Sequence, residues 1–247
     1  MCRVVGIMAA MIQRNMIQRN MIQRRLILVG MLGLACDYGL AQTRQFTGKV
    51  AESFKPFEFT LHITPPDRSR GEEAGAVDRI DVRSGGKAVQ TIEFSEEDGK
   101  PVDFGPLESW VLLKDVDCDG YADLLVRSSV GLPGDAWYFL FRFDPGRRQF
   151  LPYPPFRKLS YKGTDCPAKV VRVSVNMGGS GCYYESATYH WVGHDLEPLR
   201  VEDQNDAGYG NVVRTIRVWR DGKESVESTV TFKLNGDCHV LHPNPIE

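Results

Sequence analysis

Apolar and polar residues alternate along the chain from about Gln45 onwards, in short runs such as FEFTLHI, RIDVRS and AVQTIEF. Alternation with a period of two is typical of a β-strand that buries one face. The runs are separated by turn sequences such as GGK, DPGRR and RDGK, which favour hairpins. No long stretch repeats its apolar positions with the period of a helix. The pattern therefore predicts an all-β fold, an antiparallel meander arranged as a sandwich or in a propeller-like form.

The same pattern continues into the second half of the chain, through WYFLFRF, KVVRVSV, CYYESATYHWV, NVVRTIRVW and ESTVTFKL. No linker between these runs is long or polar enough to divide the chain. The composition, with 42% hydrophobic and 25% charged residues, is ordinary for a globular protein. We therefore expect residues 42–247 to form one all-β domain.

Residues 1–41 differ from the rest of the chain. The pentapeptide MIQRN is repeated, and its methionines are alternative start positions. The segment after Met21 has two arginines, an apolar run over residues 26–35 that is too short to span a bilayer, and small residues after it. These features predict an export signal. We expect cleavage after Ala41, with a lipid anchor at Cys36 as the alternative.

Removal of the export signal changes the net charge of the protein. It takes five arginines and one aspartate from 30 basic and 32 acidic residues, which leaves 25 and 31 and a net charge of −6. Nucleic-acid binding needs a basic patch that neutralises phosphates. We therefore expect no nucleic-acid partner, whereas an acidic protein suits a basic protein partner.

Four cysteines remain after residue 41, namely Cys118, Cys166, Cys182 and Cys238. An even number in an exported protein favours disulfides, with four separate buried thiols as the alternative, and four cysteines allow three pairings. We expect Cys166 to pair with Cys182, because the two bracket one predicted strand and its turn, and Cys118 to pair with Cys238. A zinc site is disfavoured, because no CxxC pair is present and the histidines are scattered.

The segment KDVDCDGYADLL, residues 114–125, places four aspartates around one glycine between two predicted strands. Ca²⁺ takes about six to eight oxygen ligands, and closely spaced carboxylates repel one another unless a cation neutralises them. A solvated acidic turn is the alternative to a calcium site. The expected ligands are the side chains of Asp115, Asp117, Asp119 and Asp123 and the carbonyl group of Tyr121.

This segment does not fit an EF-hand, because its twelfth position is Val126 rather than glutamate and no flanking helices are predicted. The spacing DxDxDGxxD between two strands resembles the calcium loops of FG-GAP-type propeller repeats and related exported β proteins. The ligands of those loops match the four aspartates. The resemblance implies that the metal holds a strand connection as a structural clip and performs no chemistry.

The stretch NMGGSGCYYESATYHW, residues 176–191, combines glycines with several tyrosines. Tyrosine offers contact area at low entropic cost and glycine permits unusual backbone angles, so the composition suits a recognition loop. The alternative is a glycine-rich turn whose tyrosines only alternate between core and solvent. We do not expect Ser180 to be a nucleophile, because GGSGC lacks the second glycine of GxSxG and no histidine is placed to act as its base.

The sequence SGCYY fits SGxxY, the motif on the inhibitory loop of periplasmic lysozyme inhibitors, with Ser180, Gly181 and Tyr184 at the motif positions. With the export signal and the aspartate segment, the region from Trp110 to Trp191 resembles the calcium-binding periplasmic immunity proteins. These proteins protect bacteria against peptidoglycan hydrolases delivered by secretion systems. The resemblance implies a periplasmic protein that is not an enzyme and that blocks the active-site cleft of a lysozyme-like peptidoglycan hydrolase. The alternative is a calcium-stabilised adhesion or assembly module of the FG-GAP kind.

Overall fold

The computed structural model describes residues 42–71, 74–95, 99–102, 106–130 and 135–233. The described residues form β-strands joined by turns and four short 3-10 segments, without an α-helix, so the all-β prediction is confirmed. The predicted export signal, with Cys36, and the predicted disulfide partner Cys238 lie outside the described residues. Within the described ranges, no helix has the length and apolar character needed to cross a membrane.

Three antiparallel sheets follow one another along the chain, and in each of them consecutive strands pair as an up-and-down meander. The first sheet contains β1 (Gln42–Gly48), β2 (Phe57–Thr64), β3 (Ala76–Ser84) and β4 (Lys87–Glu93). The middle sheet contains β5 (Val111–Lys114), β6 (Asp123–Val130), β7 (Ala136–Asp144) and β8 (Gln149–Pro152). The third sheet contains β9 (Tyr161–Asp165), β10 (Val170–Gly178), β11 (Tyr183–Val192), β12 (Asp195–Gly208), β13 (Asn211–Arg220) and β14 (Lys223–Lys233).

The middle sheet is covered on both faces, which explains why its strands are apolar at nearly every position. Along β6, Leu124 and Val126 belong to a core shared with the first sheet, whereas Leu125 between them belongs to a core shared with the third sheet. Along β7, Phe141 and Leu140 divide in the same way. The domain is therefore a stack of three sheets, with a separate core on each side of the middle one.

The core between the first and middle sheets is rich in aromatic rings. Phe57, Phe59 and Phe150 are fully buried, and the ring of Phe57 meets that of Phe150 edge-on at 5.7 Å. Burial of a side chain of this size stabilises the fold by about 1.5 to 3 kcal/mol. This core joins the first two sheets face to face.

The core between the middle and third sheets is smaller and more aliphatic. Val171 and Val173 of β10 and Ala187 of β11 are buried in it, together with Leu125 and Leu140 of the middle sheet. These contacts fix one face of the β10–β11 hairpin against the middle sheet. The hairpin that carries the SGCYY sequence is therefore held by tertiary packing along its strands.

The hairpins that the turn sequences predicted are confirmed. Ser84 pairs with Lys87 around GG, Asp144 with Gln149 around PGRR, and Arg220 with Lys223 around DG. Glycines in two of these turns have positive φ angles, 57° and 78° at residues 85 and 86 and 72° at residue 222, a region in which glycine pays no steric penalty.

Candidate functional site

The four aspartates lie in the turn that joins β5 to β6, where Lys114 and Asp123 form the last pair of the ladder. The turn is folded by its own carboxylates. Asp115 accepts hydrogen bonds from the backbone N–H groups of Asp119 at 3.2 Å and Gly120 at 3.0 Å, and Asp119 accepts one from Tyr121 at 2.9 Å. Aspartate stabilises turns in this way, and Gly120 takes a φ of 92°. We call residues 115–123 the aspartate loop.

Three of the four aspartates converge on one point. Asp115, Asp117 and Asp123 each offer an oxygen atom, and these atoms all lie within 4.8 Å of one another. Ligands at the usual Ca²⁺–O distance of about 2.3 to 2.6 Å are separated by no more than about 5 Å, so one Ca²⁺ fits this set. Asp119 does not belong to the close group. The loop therefore offers three convergent carboxylates, and the ligand roles of all four aspartates and of the Tyr121 carbonyl stay predictions.

Asp123 is the most deeply placed member of the group. It is fully buried, and its two oxygen atoms accept hydrogen bonds from the backbone N–H groups of Val116 and Phe143, each at 2.9 Å. Burial raises the pKa of Asp123 to about 7, and the charge of Asp117 adds to this rise. Burial and the charges of Asp117 and Asp115 raise the pKa of Asp119 to about 6. Burial is the larger cause of both shifts, and a bound cation would neutralise the neighbouring carboxylates that add to them.

Arg142 of β7 supplies one positive charge to the loop. Its Nε lies 2.6 Å from Oδ2 of Asp117, whose side chain is only 3% exposed. Its guanidinium group also stacks 4.8 Å above the ring of Trp191 and lies 3.3 Å from Nδ1 of His194. Sequence reasoning missed Arg142, because an arginine within the strand WYFLFRF carries no local signal of its distant partner.

The aspartate loop is also tied to the third sheet. Nε1 of Trp191 on β11 donates a hydrogen bond of 2.8 Å to the carbonyl oxygen of Val116. Cys118 in the loop forms a disulfide with Cys166 in the turn between β9 and β10, with their Cα atoms 5.2 Å apart. The loop therefore connects two sheets in addition to closing the β5–β6 hairpin.

The predicted disulfide between Cys166 and Cys182 is wrong, and so is the predicted pairing of Cys118 with Cys238. Cys166 precedes β10 and Cys182 follows it, so the two lie at opposite ends of a strand that spans roughly 30 Å. A disulfide requires Cα atoms within about 7 Å of each other. Cys182 is itself disulfide-bonded, in a bond other than the Cys118–Cys166 pair. The error was to treat two residues that bracket a strand as neighbours.

The SGCYY sequence begins in the tight turn between β10 and β11. Residues Gly179–Gly181 form a 3-10 segment, and Gly179 and Gly181 have φ angles of 58° and 91°. A Cβ atom on Gly179 would lie 2.6 Å from the ring of Tyr183, so the ring packs directly on this glycine. Met177, just before the 3-10 segment, is 59% exposed. The backbone of Ser180 belongs to the turn, while its side chain lies outside what the structure describes. We call residues 177–182 the glycine turn.

Tyr184 does not project freely. Its hydroxyl group donates a hydrogen bond of 2.7 Å to Oε1 of Glu202 on β12, and Arg200 donates one of 2.9 Å to the other oxygen. Burial and the Glu202 carboxylate raise the pKa of Tyr184. Burial alone would raise the pKa of Glu202, but the hydrogen bonds from Tyr184 and Arg200 and the charge of Arg214 lower it. Tyr184 therefore braces the glycine turn against β12.

A buried carboxylate holds the other side of the glycine turn. Asp135, whose side chain is 3% exposed, accepts a hydrogen bond from the backbone N–H of Asn176 at 2.9 Å and contacts Nζ of Lys162 at 3.1 Å. Asn176 in turn accepts a hydrogen bond from the N–H of Gly178 at 2.9 Å. The root of the turn is therefore attached to the start of β7. Sequence reasoning missed Asp135, which lies in no motif.

The aspartate loop and the glycine turn lie at opposite ends of the β10–β11 hairpin. Val170 pairs with His190 near the aspartate loop, whereas Asn176 pairs with Tyr184 next to the glycine turn. The aspartate loop therefore contributes no group to the glycine turn. It acts on the turn only by holding the far end of the hairpin.

Comparisons with known proteins give a likeness of fold. No protein-family model and no curated protein matches the chain. A similar solved structure is that of a Xanthomonas protein described as related to a type IV secretion system, with a TM-score of 0.53 and 14% sequence identity. The match covers 74% of this chain and 93% of that chain. At this identity the chain is similar to that protein in fold, and the likeness extends over most of both chains.

Proposed function

We propose that this protein is an exported inhibitor, an immunity protein, that binds a lysozyme-like peptidoglycan hydrolase and blocks its active-site cleft. The observation that carries the proposal is the position of the glycine turn, which occupies the end of a braced hairpin away from the aspartate loop. Met177, Gly179 and Gly181 are exposed there. Enzyme clefts are concave. A narrow turn enters such a cleft more readily than the flat face of a sheet does.

The chemistry of the turn fits the chemistry of the cleft. Lysozyme-like hydrolases generally use two carboxyl groups on either side of the sugar to be cleaved. The hydroxyl group of Ser180 and the N–H groups of a glycine-rich backbone are donors for such carboxylates. The glycines allow the backbone to approach the floor of the cleft without side-chain clashes. Inhibition in this scheme needs no covalent step, so the protein acts as a binding protein and not as an enzyme.

The role of Tyr184 in the proposal follows from its hydrogen bond to Glu202. Its hydroxyl group is already used within the sheet. Tyr184 therefore supports the glycine turn in a fixed shape, and its ring edge, not its proton, is available to the hydrolase. Ser180 and the glycine backbone provide the polar contacts.

Calcium has a structural role in this proposal. The three convergent carboxylates of Asp115, Asp117 and Asp123 would hold the ion, with Asp119 and the Tyr121 carbonyl completing its shell. Oxygen ligands of this kind and number suit Ca²⁺. Because the loop is joined to Cys166 and Trp191, the ion would fix the end of the hairpin opposite to the glycine turn.

The fold supports a secretion-associated role. The Xanthomonas protein that shares the fold is described as related to a type IV secretion system. Immunity proteins of the kind that the SGCYY sequence resembles act against hydrolases delivered by secretion systems. We propose that this protein acts in the periplasm, where it would meet its target, with cleavage after Ala41 or a lipid anchor at Cys36 as the route.

The proposal is tested by the lysis of peptidoglycan suspensions with purified c-type, g-type and phage-type lysozymes, each with and without the full-length protein in calcium. We expect inhibition of at least one enzyme, and loss of that inhibition in Ser180→Arg, whose long side chain obstructs the turn. The matched control is Ser225→Arg, at an exposed position on β14 at the other end of the third sheet.

Two results would contradict the proposal. Absence of inhibition with all three enzymes would remove the lysozyme-like target and favour the calcium-stabilised adhesion or assembly module. Equal inhibition by Ser180→Arg and Ser225→Arg would show that the hydrolase binds elsewhere on the protein.

A further inference from the structure

Tyr209 is a fully exposed aromatic residue at the tip of the β12–β13 hairpin, with 100% of its surface accessible. It also has a φ of 55°, in the left-handed region that side chains other than glycine, asparagine and aspartate rarely adopt. Gly208 and Gly210 on either side have φ angles of 81° and 76°. The chain therefore presents a large ring to solvent at a position that disfavours it.

The ring has no part in forming its own turn. Gly208 pairs with Asn211 across the hairpin, and the N–H of Gly208 donates a hydrogen bond of 2.8 Å to Oδ1 of Asp206. A fully exposed side chain buries no apolar surface and so adds nothing to the core. The turn is thus defined by glycines and Asp206, and the fold leaves the presence of a tyrosine at position 209 unexplained.

The strand register puts Tyr209 at the same end of the third sheet as the glycine turn. Tyr184, just after that turn, pairs with Gln204 on β12, and Tyr209 lies five residues further along. This is a distance of roughly 17 Å along an extended strand. Tyr209 therefore projects beyond the sheet at the same end as the glycine turn.

The two tips are also connected by a buried side chain. Gln204, which is only 6% exposed, donates a hydrogen bond of 2.7 Å from Nε2 to the carbonyl oxygen of Cys182 in the glycine turn. Because Gln204 is part of β12, this bond and the ladder fix the spacing between the glycine turn and the β12–β13 tip. Met177 and Tyr209 are thus two exposed apolar side chains at one end of one rigid sheet.

We propose that Tyr209 is a second anchor for the hydrolase that the glycine turn blocks, and that its ring stacks on the rim of the sugar-binding groove. This inference rests on the proposed function. A groove that binds a glycan chain extends well beyond the two catalytic carboxyl groups, and a tyrosine offers it a flat ring and a hydroxyl group in place of a sugar. Tyrosine loses little conformational entropy on binding, which suits an exposed anchor.

Two substitutions at Tyr209 and one control distinguish the effect of the Tyr209 ring from the effect of the turn that carries it. Tyr209→Asn removes the ring but keeps the positive φ, because asparagine tolerates this region. Tyr209→Phe keeps the ring and removes the hydroxyl group. Val192→Ser is the matched control, since Val192 is 46% exposed at the last position of β11, at the opposite end of the sheet. All three variants are expected to keep the parent melting temperature.

The experiment measures the dissociation constant of each full-length variant for the c-type, g-type and phage-type lysozymes, by calorimetry in calcium. For an enzyme that the parent inhibits, we expect Tyr209→Asn to weaken binding by about tenfold or more, as loss of an aromatic anchor does. Tyr209→Phe should retain most of the affinity, and Val192→Ser should match the parent.

The outcomes separate this inference from the proposed function. If the parent inhibits an enzyme and Tyr209→Asn binds it equally well, the second anchor is overturned and the blocking turn stands. If the parent binds none of the enzymes, both are overturned. If Tyr209→Asn changes only binding to vesicles of phosphatidylglycerol and phosphatidylethanolamine, the tyrosine is a membrane contact and the inference is also overturned.

Discussion

Trp191 on β11 donates a hydrogen bond of 2.8 Å from its indole Nε1 to the carbonyl oxygen of Val116 in the aspartate loop. The guanidinium group of Arg142 stacks on the same indole ring and also contacts the carboxylate of Asp117. Trp191 of the third sheet therefore contacts the backbone of the loop directly and its Asp117 carboxylate through Arg142. The stability of the β10–β11 hairpin should consequently depend on whether the loop is filled by a cation.

Calcium is expected to raise the melting temperature of the parent protein through the aspartate loop. Binding to the folded state alone stabilises it by about 2.7 kcal/mol at a calcium concentration about a hundred times the dissociation constant. Asp117→Asn should lose most of the difference between melting temperatures in calcium and in chelator. The control is Asp221→Asn, at an exposed turn position with a φ of 52° that asparagine tolerates. An unchanged calcium response in Asp117→Asn would remove this aspartate from the site.

Without calcium, the protein should lose stability as the pH rises. The pKa of Asp123 is raised to about 7 in the folded state, whereas an unfolded aspartate titrates near about 4. The contribution of Asp123 to the free energy of unfolding is therefore fully present below about pH 4, where the carboxyl group is protonated in both states. It is lost as the pH rises to about 7. Calcium binds the ionised carboxylate of Asp123 and offsets the cost of ionising this buried group. Melting curves in chelator and in calcium at pH 5 and pH 8 should show the larger calcium effect at pH 8, and a smaller effect at pH 8 would contradict the assignment.

The Cys118–Cys166 disulfide is expected to stabilise the domain by about 4 kcal/mol, because it closes a chain segment of 48 residues in the unfolded state. The double variant Cys118→Ala, Cys166→Ala should unfold at correspondingly lower denaturant and bind calcium more weakly, since the loop loses its covalent tie to the third sheet. Peptide mapping without reduction should recover the two cysteines in one linked fragment. Recovery of Cys166 linked to Cys182 would restore the pairing that the strand geometry excludes.

The hydrogen bond between Tyr184 and Glu202 makes a separate contribution to stability. A hydrogen bond to a charged group is worth about 1.5 to 3 kcal/mol. Tyr184→Phe should therefore destabilise the protein by about 1 to 2 kcal/mol, because Glu202 keeps its contacts with Arg200 and Arg214. Thr43→Val, at an exposed position on β1 in the first sheet, is a control that removes a hydroxyl group away from Glu202. Equal stability of Tyr184→Phe and the parent would mean that the phenol is free to contact a partner.

The features that sequence predicted well are those that depend on local chemistry. Period-two alternation decides which face of a strand is buried, and a glycine such as Gly222 decides where a hairpin turns. The inward fold of the aspartate loop is likewise local, because Asp115 and Asp119 bind backbone groups within five residues of themselves.

The features that sequence did not predict depend on how the sheets are stacked. Arg142 reaches Asp117 across 25 residues, and Asp135 reaches Asn176 across 41. Neither contact can be inferred from the residues that flank its two partners in the sequence. The predicted disulfide partner of Cys166 was wrong for the same reason. Its actual partner, Cys118, is determined by the packing of the third sheet on the middle sheet and not by distance along the chain.

Asp135 provides a test of whether the root of the glycine turn matters for binding. Its two oxygen atoms accept from the N–H of Asn176 and from Lys162. In Asp135→Asn, either orientation of the amide places an N–H₂ group against one of these donors. The Lys162 side chain is 33% exposed, so water can solvate its charge, and the main cost is the lost hydrogen bond at buried Asp135, about 1 to 3 kcal/mol. We expect a lower melting temperature and inhibition weakened by about tenfold.

The readout that distinguishes positioning from general destabilisation is the calcium response. The aspartate loop lies at the other end of the β10–β11 hairpin, so Asp135→Asn should keep the calcium affinity of the parent while inhibition falls. Asp165→Asn is the matched control, since it breaks the more exposed ion pair with Arg172 on the same sheet, and water screens such a surface contact. If Asp135→Asn and Asp165→Asn inhibit equally well at a temperature where both are folded, the glycine turn keeps its shape without the Asp135 contacts.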